Sequence, residues 1–97
     1  MAGILCIQIN SKLADKAENL RKIENQLVLN ADKKLDLVLF PEFFSTSIAY
    51  QNEPESENGG EIIKRVCELA KKYSTNIVAG TVVRQVGDKY YNTSFAI

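Results

Sequence analysis

The residues best suited to acid–base chemistry surround one glutamate near the middle of the sequence. Glu42 follows a short apolar run and a proline, and Phe40, Phe43 and Phe44 lie close to it in the chain. A carboxylate among aromatic side chains is partly desolvated, which suits it to accept and return a proton near neutral pH. A glutamate here could equally cap the next turn or pair with a surface lysine, and its position in the chain leaves both roles open.

The composition restricts the other chemistry that the chain could support. It contains no histidine, so Ser-His-Asp and Cys-His catalysis and histidine metal sites are excluded. Its two cysteines, Cys6 and Cys67, form neither a CxxC redox motif nor a zinc ligand set, and both are expected to be inert core residues. Residues 9–12 contain no glycine, so the usual dinucleotide and ATP loops are absent at this junction. We therefore expect no metal and no organic cofactor.

The charge balance and the cysteine content predict a cytoplasmic protein without nucleic-acid or membrane partners. Twelve basic residues balance twelve acidic ones, so no bulk charge attracts nucleic acid or an anionic membrane. The apolar run at residues 4–7 is too short for a signal peptide or a membrane span. Two cysteines in 97 residues do not make a disulfide scaffold, which favours a reducing compartment.

The periodicity of apolar residues predicts an α/β fold with the order β-α-β-α-β-β. The predicted strands are 4–9, 35–40, 77–83 and 90–97, and the predicted helices are 15–34 and 61–73. Strands that alternate with helices predict parallel pairing, followed here by an antiparallel hairpin. Open α/β sheets bind ligands at the carboxyl ends of their strands, and the strand at 35–40 delivers Glu42 to that edge.

Two polar features near predicted strand and helix ends have structural interpretations as well as functional ones. Asn92 follows two tyrosines and is expected to hydrogen-bond the backbone across a turn or strand end. Gly59 and Gly60 precede a helix and could direct N–H groups toward an anion, although a loop hinge is the commoner role.

The layout predicts that residues 1–97 form the N-terminal part of a larger domain. Two helices can cover only part of a four-stranded sheet, and the last residues are an apolar strand. The rival hypothesis is a non-catalytic α/β binding or interaction module that is complete at this length. A reading frame that continues into a lysine-containing segment and then a cysteine would favour the enzyme.

Four segments in order resemble the nitrilase, or carbon–nitrogen hydrolase, superfamily. Residues 37–44, Leu-Val-Leu-Phe-Pro-Glu-Phe-Phe, resemble its Val-Val-Phe-Pro-Glu segment. The other segments are 4–9, 18–23, and 77–81 followed by 91–93. The resemblance covers essentially the whole chain, and it implies the N-terminal part of a four-layer α-β-β-α sandwich.

The resemblance also implies a reaction in which Glu42 has one role. Family members hydrolyse or condense non-peptide carbon–nitrogen bonds with a glutamate base, a cysteine nucleophile and a lysine that stabilises the tetrahedral intermediate. Glu42 falls on the catalytic glutamate, whereas no lysine or cysteine of this chain matches the other two positions. The chain alone is therefore expected to be inactive.

The resemblance also carries expectations about the substrate and the assembly. It implies a small-molecule amide or nitrile substrate and a homo-oligomer. Residues 44–50 are faintly similar to amidases that act on small ω-amide acids.

Overall fold

The computed structural model describes residues 3–47 and 54–97, and these residues confirm the predicted α/β class. The elements in chain order are β1 (Ile4–Cys6), α1 (Lys16–Leu29), β2 (Leu37–Leu39), α2 (Gly60–Lys72), β3 (Asn76–Val78), β4 (Val82–Val86) and β5 (Lys89–Thr93). Neither of the two helices in the described residues has the length and apolar character needed to cross a membrane.

The first three strands form a parallel sheet in the order β1-β2-β3, as predicted from the helices between them. Leu5, Val38 and Ile77 lie in one register row across the sheet. Val38 and Ile77 are fully buried, and they pack in the same core as Ile23 of α1 and Val66 of α2. The core therefore lies between the sheet and the helices.

Both helices cover the same face of this sheet. Lys72 Nζ, at the end of α2, lies 3.0 Å from Glu24 Oε2 on α1, so the helices are neighbours. Two right-handed crossovers that advance in the same direction produce this arrangement. The opposite face is left open among the described residues.

The open face is apolar, and it corrects the expectation that Cys6 is buried. Side chains alternate between the faces of a strand, so Cys6, Leu39 and Val78 form a register row on the side away from the core. Cys6 is exposed, and Ile4 on the same side is 58% exposed. An apolar strand was correctly predicted, but its pattern does not say which faces are covered.

Helix α1 begins where it was predicted and ends earlier. The Asp15 side chain accepts a hydrogen bond from the Glu18 N–H at 3.1 Å, which satisfies one free donor of the first turn. The helix ends at Leu29 rather than residue 34, because the Asn30 side chain donates to the Gln26 carbonyl at 2.8 Å and the following residues are mostly polar. Local hydrogen bonding by Asn competes with the helical ladder in this way.

The strand predicted at 77–83 is divided into β3 and β4 by Gly80. Gly80 has a φ of +36°, and a Cβ at this position would overlap the Pro41 carbonyl oxygen and lie 2.8 Å from the Phe40 carbonyl oxygen. Close approach of a second backbone segment requires glycine here. The chain therefore leaves the parallel sheet at Gly80.

Strands β4 and β5 form the predicted antiparallel hairpin as a separate sheet, with a turn at residues 87–88. The strand predicted at 90–97 is also divided, because β5 ends at Thr93. Ile97 then exchanges backbone hydrogen bonds of 3.0 and 2.8 Å with Ile77. The last residues thus extend the parallel sheet beside β3 with an antiparallel edge.

Candidate functional site

Glu42 lies at the carboxyl edge of the parallel sheet, as its position after β2 predicted. The backbone on either side of it is held by the segment that follows β3. The Phe43 N–H donates to Thr81 Oγ1 at 3.0 Å, and Gly80 packs against the Pro41 carbonyl. The path of the backbone at Glu42 therefore depends on contacts with residues that lie 38 or more positions later in the chain.

The Glu42 carboxylate is exposed and accepts a hydrogen bond from Asn92. Asn92 Nδ2, on β5, lies 3.2 Å from Glu42 Oε2. We expected Asn92 to bond the backbone across a turn, but its side chain instead joins the hairpin to the glutamate. The structure thus brings together a predicted site residue and a residue to which we had assigned a structural role.

Phe40 and Phe44 do not enclose Glu42, contrary to expectation. Phe40 and Phe44 are buried and pack edge to face, with ring centroids 5.1 Å apart. Their rings belong to the core beneath the strand edge, whereas Glu42 faces solvent in the described structure. The turn therefore separates the carboxylate from these two rings.

The turn after Glu42 is backbone-strained at Phe43. Phe43 has a φ of +50° and Ser47 one of +55°, a region that bulky side chains rarely adopt. The Ser47 N–H closes the turn on the Phe43 carbonyl at 2.8 Å. Strain of this kind persists where surrounding contacts overdetermine the backbone, and it is concentrated at functional sites.

Asn19 of α1 ties two loops together at the same edge, a role that the sequence analysis missed. Its side chain is fully buried, with hydrogen bonds to the Lys12 N–H at 2.6 Å, the Lys12 carbonyl at 2.8 Å and the Ser45 carbonyl at 2.7 Å. It therefore joins the loop after β1 to the turn after Glu42. The sequence does contain a signal for this role: Asn19 lies four residues before Ile23, which places it on the buried face of the helix. A buried polar side chain requires hydrogen-bond partners.

Replacing Asn19 with alanine is expected to destabilise the protein by about 2–4 kcal/mol, because one buried and two partly buried backbone groups lose their partner. Urea denaturation of the wild type and the variant would measure the change. Asn25→Ala, on the exposed face of the same helix, is the matched control and should change stability by less than about 0.7 kcal/mol. Equal stability of the two variants would contradict the role assigned to Asn19.

Shifted pKa values occur on the helix surfaces. A hydrogen bond from Arg21 lowers the pKa of Glu18 in the first turn of α1. A hydrogen bond to Glu24 raises the pKa of Lys72 at the end of α2. Each pair joins an exposed basic side chain to a partly exposed carboxylate, so both pairs are screened by solvent and contribute little to stability.

A second carboxylate, Glu55, is buried and pairs with the first residue of α1. Its side chain is 9% exposed, and Oε1 lies 2.7 Å from Lys16 Nζ. The pair borders a cavity of about 260 Å³ between the helices, lined also by Leu20 and Arg65 but not by Glu42. We interpret this ion pair as an attachment of the segment before α2 to α1.

Neither cysteine contacts Glu42 in the described structure. Cys6 pairs in register with Leu39 inside the sheet, and Cys67 packs against the core from α2. Within residues 3–47 and 54–97, no lysine or cysteine forms an ion pair or hydrogen bond with Glu42. The same residues hold no group of three or more Cys, Asp or Glu side chains suited to a metal ion.

The segment at 44–50 lies only partly within the described residues. Phe44, Ser45 and Thr46 are buried, and residues 48–50 lie outside the described ranges. Gly59 and Gly60 both have positive φ and lie at the start of α2, with Gly59 as its N-cap.

A protein-family comparison matches the chain over nearly its whole length. The carbon–nitrogen hydrolase family matches residues 4–97. A Staphylococcus aureus protein named hydrolase in agr operon is 27% identical over 93% of this chain, and an Arabidopsis thaliana chloroplastic omega-amidase is 28% identical over 86%. The chain spans 35% of the first relative and 24% of the second.

Solved structures share the fold over the described chain. A branch 10 member of the nitrilase superfamily from Saccharomyces cerevisiae matches 98% of this chain and 39% of its own, with a TM-score of 0.78 and 23% identity. A CN-hydrolase superfamily protein from Xanthomonas campestris, solved with an arsenic adduct in its active site, matches 96% of this chain and 35% of its own, with the same TM-score and 21% identity.

Proposed function

The chain belongs to the carbon–nitrogen hydrolase family, and we propose that it supplies the general base, Glu42, of an enzyme that hydrolyses a non-peptide carbon–nitrogen bond. The observation that carries the proposal is the position of Glu42: it follows the parallel strand β2 after Phe40 and Pro41, at the sheet edge where α/β proteins bind ligands. Its exposure leaves the carboxylate accessible to a reacting group.

The proposed reaction proceeds through a covalent thioester. Glu42 accepts the proton of a cysteine thiol, and the thiolate attacks the substrate carbon while a lysine stabilises the oxyanion. The nitrogen leaves with the proton that Glu42 returns. Glu42 then accepts a proton from water, whose oxygen attacks the thioester. The carbon–sulfur bond breaks, the acid is released, and Glu42 returns the proton to the cysteine thiolate.

We assign the lysine and the cysteine to sequence outside residues 1–97, which constitute the N-terminal part of the domain. The support is twofold: the chain spans only 24–35% of its curated relatives, and no lysine or cysteine contacts Glu42 in the described residues. The open apolar face of the sheet fits the same proposal, because an α-β-β-α sandwich would cover it with a second sheet.

The proposed substrates are amides, in particular small ω-amide acids. Their support is the residue pattern at 44–50 and the 28% identity to an omega-amidase. We also propose a cytoplasmic homo-oligomer. The two free cysteines agree with a reducing compartment, and subunit mass measured by light scattering tests the assembly.

Residues 1–97 alone are expected to release no ammonia from an ω-amide acid. A longer protein that also contains the segments with the lysine and the cysteine should release it. Without the nucleophilic cysteine no thioester can form. An enzyme whose catalytic groups act as a unit loses nearly all its activity when one of them is removed. Thioester formation or turnover by the 97-residue chain would contradict the proposal. So would the finding that the gene stops directly after codon 97 and that its product is monomeric and well folded.

A further inference from the structure

We propose that Asn92 is a positioning residue that fixes the Glu42 carboxylate in the orientation required for proton transfer. The inference rests on the function proposed above for Glu42. It adds a group from the β4–β5 hairpin, 50 residues away in the chain, to the machinery at the end of β2.

The hydrogen bond distinguishes the two oxygens of the carboxylate. Asn92 Nδ2 donates to Oε2 at 3.2 Å, and within the described residues Oε1 has no hydrogen-bond donor. A donor to a charged oxygen makes a stronger bond than a neutral pair does. Oε2 is therefore anchored, and Oε1 remains available to accept the proton of the incoming thiol.

Glu42 needs such an anchor because its side chain is exposed. An unrestrained glutamate samples several staggered rotamers about its side-chain bonds. A side chain that reacts only in one orientation then loses rate in proportion to the time spent in the others. Asparagine suits this task, since its amide donates without exchanging a proton with the base.

Asn92 is itself held by the hairpin. It pairs in register with the buried Val83 of β4. On either side of it, the Arg84 guanidinium lies 5.6 Å from the Tyr91 ring centroid, and Arg84 Nε donates to Thr93 Oγ1 at 2.9 Å. These cross-strand contacts fix the strand from which the Asn92 amide reaches Glu42.

The hairpin begins at the segment that fixes the Glu42 backbone. Thr81, which accepts the Phe43 N–H, directly precedes β4. The stretch from Gly80 to Asn92 therefore restrains both the backbone and the side chain at Glu42. These two restraints from one segment would hold the Glu42 carboxylate in a fixed position at the sheet edge.

The test compares two variants of the longer, active protein. Asn92→Ala removes the donor, and Asn92→Asp keeps the shape but replaces the donor with an oxygen. Both are expected to lower kcat by about 100-fold, the scale of a misplaced catalytic group, with KM changed by less than about threefold. Asn76→Ala is the matched control. Asn76 is the first residue of β3, so it lies at the opposite end of the strand from the carboxyl edge, and its side chain donates to the Asp36 carbonyl at 3.1 Å. It should keep wild-type kcat.

A second measurement separates this inference from the proposed function. The side-chain carboxyl carbon resonance of Glu42, assigned in the same protein, should move in Asn92→Ala and stay in place in Asn76→Ala. If Glu42→Gln retains turnover, the proposed function fails, and the resonance still reports whether the hydrogen bond exists. If Glu42→Gln is inactive while both Asn92 variants keep wild-type kcat, the positioning role alone is overturned. An unchanged resonance also overturns it.

Discussion

Replacing Glu42 with glutamine in the longer protein is expected to lower amide hydrolysis by about 10³- to 10⁴-fold, the upper range for loss of a general base. Glutamine has nearly the same shape, and its carbonyl oxygen can still accept the Asn92 hydrogen bond. It cannot take the proton of a thiol. The fold should therefore persist, and ammonia release and thermal unfolding together would show loss of chemistry without loss of structure.

Glu57→Gln is the matched control for this experiment. Glu57 is exposed in the loop before α2, and the interaction described for it uses its backbone carbonyl, which accepts from Arg84 at 2.7 Å. The same change in charge there should leave kcat and KM at wild-type values. Turnover by Glu42→Gln within tenfold of the wild type would contradict the assignment of the base.

The features that the sequence predicted depend on neighbours in the chain. The predicted start of the first helix needs only a contact between Asp15 and the N–H of Glu18, three residues on. The hairpin needs a turn between the apolar runs at 77–83 and 90–97, and in the structure that turn lies at residues 87–88. The strand that delivers Glu42 is recognisable because its apolar run stops at Pro41. Each of these signals lies within a few consecutive residues. The order of the helices and strands and the position of Glu42 after a strand could therefore be predicted.

The features that the sequence did not predict depend on distant residues. The run at 77–83 is continuous in apolar character, and only the backbone of residues 40–41 explains its break at Gly80. The hydrogen bond between Asn92 and Glu42 likewise joins residues 50 positions apart. Cys6 was expected to be buried because its strand is apolar, but its burial depends on what covers the open face. Each of these outcomes is set by how elements pack, which no local pattern contains.

Replacing Gly80 with alanine is expected to destabilise the protein by roughly 2–5 kcal/mol, adding the cost of a positive φ to that of overpacking. The new Cβ would overlap the Pro41 carbonyl, and the atoms it would meet are all backbone, which leaves little room for relief. Urea denaturation would measure the change. In the longer protein the same variant should also lower kcat, because the displaced Pro41 leads directly into Glu42.

Gly87→Ala isolates the part of this effect that is due to close approach. Gly87 also has a positive φ, +63°, but a Cβ there would meet nothing within 4 Å. Its cost should therefore be about 1–2 kcal/mol, the conformational contribution alone, with kcat unchanged. If the two variants lost the same stability, the contact between Gly80 and Pro41 would contribute nothing. The path of the backbone into Glu42 would then have to be held by the hydrogen bond between Phe43 and Thr81 instead.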